Sequence, residues 1–205
     1  MNEKMPKVKF CGLKTLEDIR NTNLLGADFA GFVFAKKSKR YIDKETAARL
    51  RNALSREISA VGVFVDEDIE TVAGLLNEGI IDMAQLHGSE DDDYIRRLKK
   101  ITGKPVIKAF RITSVEDVDA AEKSIADHIL LDAGAGEGRV FDWSCLDSAK
   151  RPYFLAGGLS PENVSDAIER LHPFALDVSS GIETRGSKDH VKMEAFMDAV
   201  RHFKK

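Results

Sequence analysis

The stretch PYFLAGGLSPENVSDAIERLHPFALDVS, residues 152–179, contains one complete strand, helix and strand unit. Its two ends, PYFLAG (152–157) and FALDVS (174–179), are short apolar runs of the kind that form buried strands. Between them, Ser160 of the SPEN segment is a predicted helix N-cap, and the proline after it suits the first turn of a helix. Two parallel strands need a crossover of about a dozen residues or more, so the stretch predicts a βαβ unit.

The same alternation of apolar runs with charged, amphipathic stretches extends along the whole chain. The runs start roughly 21 to 30 residues apart, which fits one strand, one helix and two short loops. Thr15 and Ser114 begin capping-box patterns after two of these runs. The predicted strands are residues 7–11, 28–34, 58–65, 82–87, 105–110, 127–132, 152–157 and 174–179.

Eight such units favour an α/β fold of the (β/α)8 TIM barrel type over a doubly wound open sheet, which would show a similar alternation. The chain has 205 residues, close to the lower size limit of such a barrel. No linker, low-complexity tract or shift in composition divides it. We therefore expect residues 1–205 to form a single barrel domain.

Composition and charge exclude several classes of protein. With 43% hydrophobic and 32% charged residues the chain resembles ordinary globular proteins, and its net charge of -3 argues against a dedicated nucleic-acid surface. No apolar stretch has the length of a signal peptide or a membrane span, so we expect a cytoplasmic protein that does not bind membranes. The two cysteines, Cys11 and Cys145, have no zinc-type spacing, and we expect neither a disulfide scaffold nor a structural metal.

Polar residues at the carboxyl ends of the predicted strands are the candidate site, because a (β/α)8 barrel has its active site at that end. Side chains alternate along a strand, so Lys9 and Cys11 share the inward face of the first strand, and Asp132 points inward at the end of the sixth. A thiol and a carboxylate then face each other across a substrate. The candidates are Cys11, Gln85, His87, Lys108, Asp132, Gly157, Gly158, Asp177, Ser179, Ser180 and Gly181.

Each reactive candidate also has an ordinary structural interpretation. Cys11 could be a buried small hydrophobe, which is how free cysteines usually behave. Asp132 could cap a helix or solvate the glycine-rich segment DAGAGEGRVFDW that follows it. For Cys145, beside Trp143 in a predicted helix, packing is the better interpretation.

Two glycine-containing loops predict a phosphate site. In FLAGGLSPENV the pair Gly157–Gly158 precedes a helix start, and Ser180–Gly181 follow the next strand in ALDVSSGIETRGSKD. Glycines let backbone N–H groups approach an anion closely, and a helix N-terminus adds a favourable dipole. Loops after strands seven and eight form a phosphate site in many barrels, which favours phosphate binding over ordinary turns.

Catalysis by a lysine is an alternative to catalysis by the thiol and the carboxylate. An inward Lys108 in VIKAF could form a Schiff base with a carbonyl substrate, as in an aldolase. A lysine paired with a carboxylate such as Asp132 or Asp177 is favoured, because a buried charge needs a partner. The segment AKKSKRY (35–41) carries four cations that could receive a second anionic group at the barrel mouth.

The chain resembles the phosphoribosylanthranilate isomerases of tryptophan biosynthesis. The resemblance extends over nearly the whole chain, and its motifs occur in the family's order. They are KFCGLKTLED, GFVFAKKSKRYI, VGVFVDE, AQLHGSE, LLDAGAGEGRVFDW, LAGGLSPENV and LDVSSGIETRGSKD. It implies a barrel that converts N-(5-phosphoribosyl)anthranilate, a small-molecule substrate, into a 1-deoxyribulose phosphate by an Amadori rearrangement, without metal or organic cofactor. It leaves monomer or homodimer open.

The resemblance also implies roles for residues. Cys11 is implied to be the general base and Asp132 the general acid, while Arg40 of SKRY meets the anthranilate carboxylate. The Gly157–Gly158 and Ser180–Gly181 loops are implied to hold the phosphate. Three residues complete the expected substrate-binding set, and they are Gln85, His87 and Asp177.

The implied chemistry sets requirements on the surroundings of both groups. A Cys11 thiolate needs nearby cations such as Lys9, and a protonated Asp132 needs apolar or anionic surroundings.

This chain differs from the family's usual motifs at loop positions, where Lys39 and Arg185 stand in place of prolines and Ser160 in place of an asparagine. Two other functions stay open, a Schiff-base aldolase using Lys108 and a barrel that binds phosphate ligands without catalysis.

Overall fold

A computed structural model describes residues 5–134 and 143–203 of the chain, so residues 135–142 of the LLDAGAGEGRVFDW motif lie outside the described residues. Eight parallel strands close into a barrel in which each pairs with its neighbours in chain order and the first pairs with the last. All eight predicted strands and the barrel are confirmed, with strand ends within one residue of those expected. The strands are β1 Lys7–Cys11, β2 Phe29–Val33, β3 Ser59–Phe64, β4 Met83–Leu86, β5 Val106–Arg111, β6 His128–Asp132, β7 Tyr153–Ala156 and β8 Ala175–Val178.

Helices connect the strands and cover the outside of the barrel. A 3₁₀ helix, Trp143–Ser148, precedes β7, and a second one, Ser180–Ile182, follows β8. Cys145 lies in the first of these and packs against the core, as expected. The α-helices are α1 Leu16–Leu25, α2 Lys44–Ala53, α3 Ile69–Asn77, α4 Asp92–Thr102, α5 Val115–Glu122, α6 Val164–Leu171 and α7 His190–Arg201.

Two of the three predicted helix N-caps are confirmed. Thr15 caps α1 in a reciprocal arrangement with Asp18, and Ser114 caps α5. Ser160 is not an N-cap, because α6 begins one turn later and Asn163 occupies that position. The Asn163 side chain accepts a hydrogen bond from the Ser160 N–H at 2.9 Å, which closes a turn ahead of the helix.

The core has two layers that follow the alternation of side chains along the strands. Leu130 and Met83 point into the barrel, as expected, while Phe10 packs against the helices. Ile107 and Ala109 of β5 also belong to the interior layer. Lys108, which lies between them, therefore faces the helix layer, and its predicted inward direction is wrong.

A short hairpin follows β8 and the second 3₁₀ helix. Its strands are β9 Glu183–Thr184 and β10 Ser187–Lys188, and its two central residues, Arg185 and Gly186, have φ angles of 53° and 80°. Two positive φ values in a two-residue turn define type I′, which matches the twist of a hairpin. A proline ring fixes φ near −65°. This turn is therefore incompatible with a proline at position 185, where the usual motif of the family that the sequence resembles has one.

Candidate active site

Cys11 is the last residue of β1, and its thiol is held against the neighbouring strand. A Cβ placed on Gly31 of β2 would lie 2.9 Å from the Cys11 Sγ, so only glycine leaves room for this thiol. On the other side, the Cys11 carbonyl accepts a hydrogen bond from the Ser179 hydroxyl at 2.9 Å. The backbone of Cys11 is therefore held by β8, and its thiol lies against β2 at the carboxyl end of the barrel.

Lys9 lies directly below Cys11 and connects three groups. Its Nζ lies 3.5 Å from the Cys11 Sγ, 2.6 Å from Gln85 Oε1 and 2.8 Å from Asp177 Oδ2. An ammonium group has three protons to donate, so these partners account for all of them. The Lys9 side chain is 0% exposed, and contact with Asp177 and Cys11 outweighs the cost of burial and raises its pKa.

The Cys11 thiol is surrounded by opposing influences. Burial raises its pKa and the Asp177 charge acts in the same direction, whereas Lys9 and Lys188 oppose them. The net pKa of Cys11 is raised, so the free protein favours the neutral thiol. The expected cation is present at Lys9, but it does not offset the burial of the sulfur.

Asp132 is the last residue of β6, and its carboxylate contacts a histidine ring and a backbone N–H group. Its Oδ2 lies 3.4 Å from His87 Nε2, and its Oδ1 accepts a hydrogen bond from the Gly134 N–H at 3.0 Å. Burial acts to raise the pKa of Asp132, but His87, the Gly134 N–H and the Arg111 charge outweigh it and lower it. Within the described residues, the apolar or anionic surroundings expected for a protonated acid are therefore not found.

Gln85 and His87 lie between these two groups, on the inward face at the end of β4. Gln85 Nε2 lies 3.3 Å from His87 Nδ1. The Gln85 side chain lies below the mouth of the barrel and is 1% exposed, whereas His87 is partly open to solvent. Cys11, Lys9, Gln85, His87 and Asp132 thus form a continuous series of polar contacts across the barrel.

Arg40 lies beside Cys11 and is held by an acidic partner. Its Nε and Nη2 donate to the two carboxylate oxygens of Glu183 at 2.6 and 2.9 Å. Its side chain packs over Gly12, where a Cβ would overlap the Arg40 Cδ. Lys188 donates to the same carboxylate at 2.8 Å. Burial opposes ionisation of Glu183, but Arg40 and Lys188 lower its pKa to about 2.

Sequence reasoning missed Glu183 and Lys188. Both lie in the IETRGSKD segment, where the sequence predictions concern only the preceding Ser180–Gly181 pair and the departure at Arg185. Alternating charges in a loop after β8 were the available indication, because a barrel brings that loop to the active end. The structure places these two charges and Arg40 in one ionic group next to the thiol.

The two glycine loops predicted to bind phosphate lie against each other. A Cβ on Gly181 would overlap the Leu159 carbonyl oxygen and lie 3.0 Å from the Ser160 Cα. Gly157 has a φ of 98° and lies so close to Gly134 that a Cβ would overlap its backbone. The structure therefore brings the ends of β6, β7 and β8 into backbone contact at the mouth.

Lys108 forms a separate ion pair outside the barrel interior. Its Nζ lies 3.0 Å from Glu90 Oε2 and donates to the Gly88 carbonyl at 2.7 Å. The expectation of a carboxylate partner is confirmed, but the partner is Glu90 and not Asp132 or Asp177. The reason is the outward direction of Lys108, which turns it away from the polar interior.

Metal clusters and membrane-spanning helices are both absent from the part of the chain that the structure describes. It contains no cluster of three or more His, Cys, Asp or Glu side chains arranged to hold a metal ion. In the same residues no helix combines the length and the apolar character that crossing a membrane requires.

Comparison with known proteins gives consistent matches along the chain. A family model described as N-(5'phosphoribosyl)anthranilate (PRA) isomerase matches residues 8–199. An N-(5'-phosphoribosyl)anthranilate isomerase from Endomicrobium trichonymphae is 45% identical over 190 residues, which are 90% of this chain and 93% of that protein.

Solved structures agree. The crystal structure of the phosphoribosyl anthranilate isomerase from Thermotoga maritima is similar with a TM-score of 0.87 and 38% identity, covering 96% of this chain and 99% of the other. A phosphoribosyl anthranilate isomerase in complex with reduced 1-(o-carboxyphenylamino)-1-deoxyribulose 5-phosphate gives a TM-score of 0.84 at 38% identity, with the same coverage of both chains. The likeness therefore includes every strand of the barrel.

Proposed function

The chain belongs to the N-(5'-phosphoribosyl)anthranilate isomerase family, and on this premise we propose that Cys11 is the general base and Asp132 the general acid of its reaction. The reaction is the aldose–ketose isomerisation of phosphoribosylanthranilate in tryptophan biosynthesis. The observation that carries the proposal is the placement of the two groups at the ends of β1 and β6, joined through Lys9, Gln85 and His87.

The two groups act in succession. Asp132 in its acid form gives a proton to the furanose ring oxygen as the C1–O bond breaks, and the nitrogen lone pair forms the C=N bond of a Schiff base. The Cys11 thiolate then takes the proton from C2. The electron pair of that C–H bond forms a C1=C2 bond, and the C=N electrons return to nitrogen to give an enolamine. Tautomerisation gives the ketose and leaves Cys11 protonated and Asp132 ionised.

In the free protein, Cys11 and Asp132 favour the protonation states that they have at the end of the reaction. The pKa of Cys11 is raised and that of Asp132 is lowered, so a single proton lies on the thiol. One proton must pass from Cys11 to Asp132 before the next turnover, with no change in total charge. An anionic substrate in the mouth raises the pKa of Asp132, and Lys9 and Lys188 stabilise the thiolate once it forms.

Other residues at the mouth suit the remaining groups of the substrate. Glu183 occupies Nε and Nη2 of Arg40, which leaves the Nη1 end of the guanidinium for the anthranilate carboxylate. Within the described residues Asp177 Oδ1 is buried without a hydrogen-bond partner, and it would accept from a sugar hydroxyl. The adjoining loops at Gly157–Gly158 and Ser180–Gly181 would hold the phosphate.

A fluorescence assay that follows loss of phosphoribosylanthranilate tests these roles. Cys11→Ala and Asp132→Asn should each lower kcat by about 10²–10⁴-fold while the unfolding transition stays cooperative. Cys145→Ser is the matched control, because this cysteine lies in the 3₁₀ helix before β7, and its kcat should equal that of the unmodified protein. Near-normal kcat in either test variant would overturn the acid and base assignment.

The Schiff-base alternative has no support from the position of Lys108, which contacts Glu90 outside the interior.

We further propose that residues 1–205 form one domain that acts on this small molecule in the cytoplasm, as a monomer or a homodimer. Light scattering on the purified protein measures the oligomeric state. A larger assembly would contradict that part of the proposal.

A further inference from the structure

We propose that Gln85 is a positioning residue that holds the His87 ring in the tautomer with its proton on Nε2, so that this ring donates a hydrogen bond to Asp132. The inference rests on the proposed role of Asp132 and moves Gln85 from the expected substrate-binding set to a supporting position. Four polar groups in contact, from Lys9 to Asp132, carry it.

Lys9 determines which way the Gln85 amide is oriented. An ammonium group can only donate hydrogen bonds, so the amide atom 2.6 Å from Lys9 Nζ must be the oxygen. Asp177 holds the same ammonium at 2.8 Å, which keeps it charged and in place. With Lys9 0% and Gln85 1% exposed, the amide has no access to solvent that would let it turn over.

The amide orientation then decides the tautomer of His87. With the oxygen directed to Lys9, the amide NH₂ lies 3.3 Å from His87 Nδ1. An NH₂ group donates, so Nδ1 must be the unprotonated nitrogen of the ring, and a neutral ring then carries its proton on Nε2. That proton lies between His87 Nε2 and Asp132 Oδ2, which are 3.4 Å apart.

In this arrangement His87 orients Asp132, and Asp132 is the group that transfers the proton. In this tautomer Nδ1 accepts from the Gln85 NH₂, and the Nε2–H is left to donate to Asp132. The Nε2–H contact on one oxygen and the Gly134 N–H on the other fix the orientation of the Asp132 carboxylate. Among the described residues the Arg111 charge from β5 also acts on Asp132, while Lys9 of β1 and Asp177 of β8 connect to the pair through Gln85.

Direct binding of substrate by Gln85 is a less suitable role for its geometry. Its oxygen is taken by Lys9 and its NH₂ group contacts His87, and the side chain lies beneath the solvent-accessible mouth. The same burial makes the amide effective as a support, because a side chain with both ends engaged has one orientation.

Nitrogen NMR of histidine side chains tests the tautomer in the free protein. Two-bond ¹H–¹⁵N correlations recorded at about pH 8, where an ordinary imidazole is neutral, distinguish protonated from unprotonated ring nitrogens. The chain has five histidines, and the spectrum of a His87→Asn variant identifies the His87 signals by their loss. We expect a protonated Nε2 and an unprotonated Nδ1.

Two variants separate the tautomer from a general packing effect. In Gln85→Glu the new carboxylate can only accept, so Nδ1 becomes protonated, and kcat should fall by about 10²-fold, the size expected of a misplaced catalytic group. KM should change little. In Gln85→Met, of similar length but without polar atoms, the Asp132 contact still favours the proton on Nε2, so the tautomer should persist and kcat should fall less than in Gln85→Glu.

A protonated Nδ1 in the unmodified protein would overturn the proposal, as would a kcat of Gln85→Met as low as that of Gln85→Glu, because the loss would then come from packing and not from the tautomer. Should Gln85→Glu fold with an unchanged His87 pattern, that too would overturn it. The NMR result does not depend on turnover. Failure of the Cys11 and Asp132 assignment would therefore appear in the assay and leave these spectra as expected.

Discussion

Lys9 of β1 and Asp177 of β8 are register partners on the strands that close the barrel, and their side chains form an ion pair with Nζ and Oδ2 2.8 Å apart. The pair lies in the interior, at the point where the first and the last strand meet. It joins residues 168 positions apart in the chain and also supports Cys11 and Gln85. A structural ion pair and the proposed catalytic base are therefore parts of one group.

Lys9→Met should lower the free energy of unfolding by about 3–5 kcal/mol, because it leaves the Asp177 carboxylate buried without its counter-charge. Denaturant unfolding followed by circular dichroism measures the loss. The double variant Lys9→Met, Asp177→Leu removes both charges and should recover a large part of it. Equal stability of the single and double variants would contradict this account.

Glu183→Gln should change how stability depends on pH. In the folded protein Arg40 and Lys188 lower the pKa of Glu183 from 4.5 to about 2. A lowered carboxylate pKa contributes stability above the unfolded value and loses it as pH falls through the folded value. Above about pH 5 the variant should therefore be less stable by about 2–3 kcal/mol.

The difference between the two proteins should shrink as pH falls from 4.5 toward 2. Urea unfolding at a series of pH values measures it. Asp93→Asn is a suitable control, because Asp93 forms an exposed pair with Arg96 that contributes little. A stability gap between Glu183→Gln and the unmodified protein that persists unchanged at low pH would show that the carboxylate charge is not its source.

Cys11 should titrate as a thiol whose pKa lies above its ordinary value of 9.0, because burial of the sulfur outweighs Lys9 and Lys188. The ultraviolet absorbance of the thiolate, measured against pH as a difference from Cys11→Ser, reports this group apart from Cys145. Lys188→Met removes one opposing cation and should move the midpoint further upward. A midpoint below the ordinary value would contradict this prediction.

The fold and the faces of most strands could be predicted because they depend on local patterns. The spacing of apolar runs set the number of βα units, and alternation placed Cys11 and Asp132 at the mouth. The pattern of side-chain alternation did not predict the direction of Lys108 in VIKAF, because a buried parallel strand is apolar on both faces. Nothing in that run says which face Lys108 occupies.

The partners and protonation states at the site could not be predicted, because they depend on contacts between distant parts of the chain. Arg40 meets Glu183 across 143 residues of sequence, and no local pattern links the two. The pKa of Asp132 depends on His87, which follows β4, and on the Gly134 N–H. Sequence patterns identify such groups by type, whereas the folded chain determines their charge.

Gly181→Ala should weaken the binding of substrate through its phosphate. The added Cβ would overlap the Leu159 carbonyl oxygen and crowd the Ser160 backbone, so the two loops proposed to hold the phosphate must separate. Loss of one hydrogen bond to a charged group costs about 1.5–3 kcal/mol, so KM should rise about 10–100-fold. The value of kcat should change less, because Cys11 and Asp132 lie on other strands.

Gly74→Ala is the matched control for this change. Gly74 lies within α3, and a Cβ there meets nothing within 4 Å, so the same substitution adds the same methyl group without a clash. A glycine in a helix costs about 0.5–1 kcal/mol relative to alanine, so the control should be slightly more stable, with unchanged KM. Because both variants carry one extra methyl group, a KM for Gly181→Ala as low as that of the control would exclude contact between these loops and the phosphate.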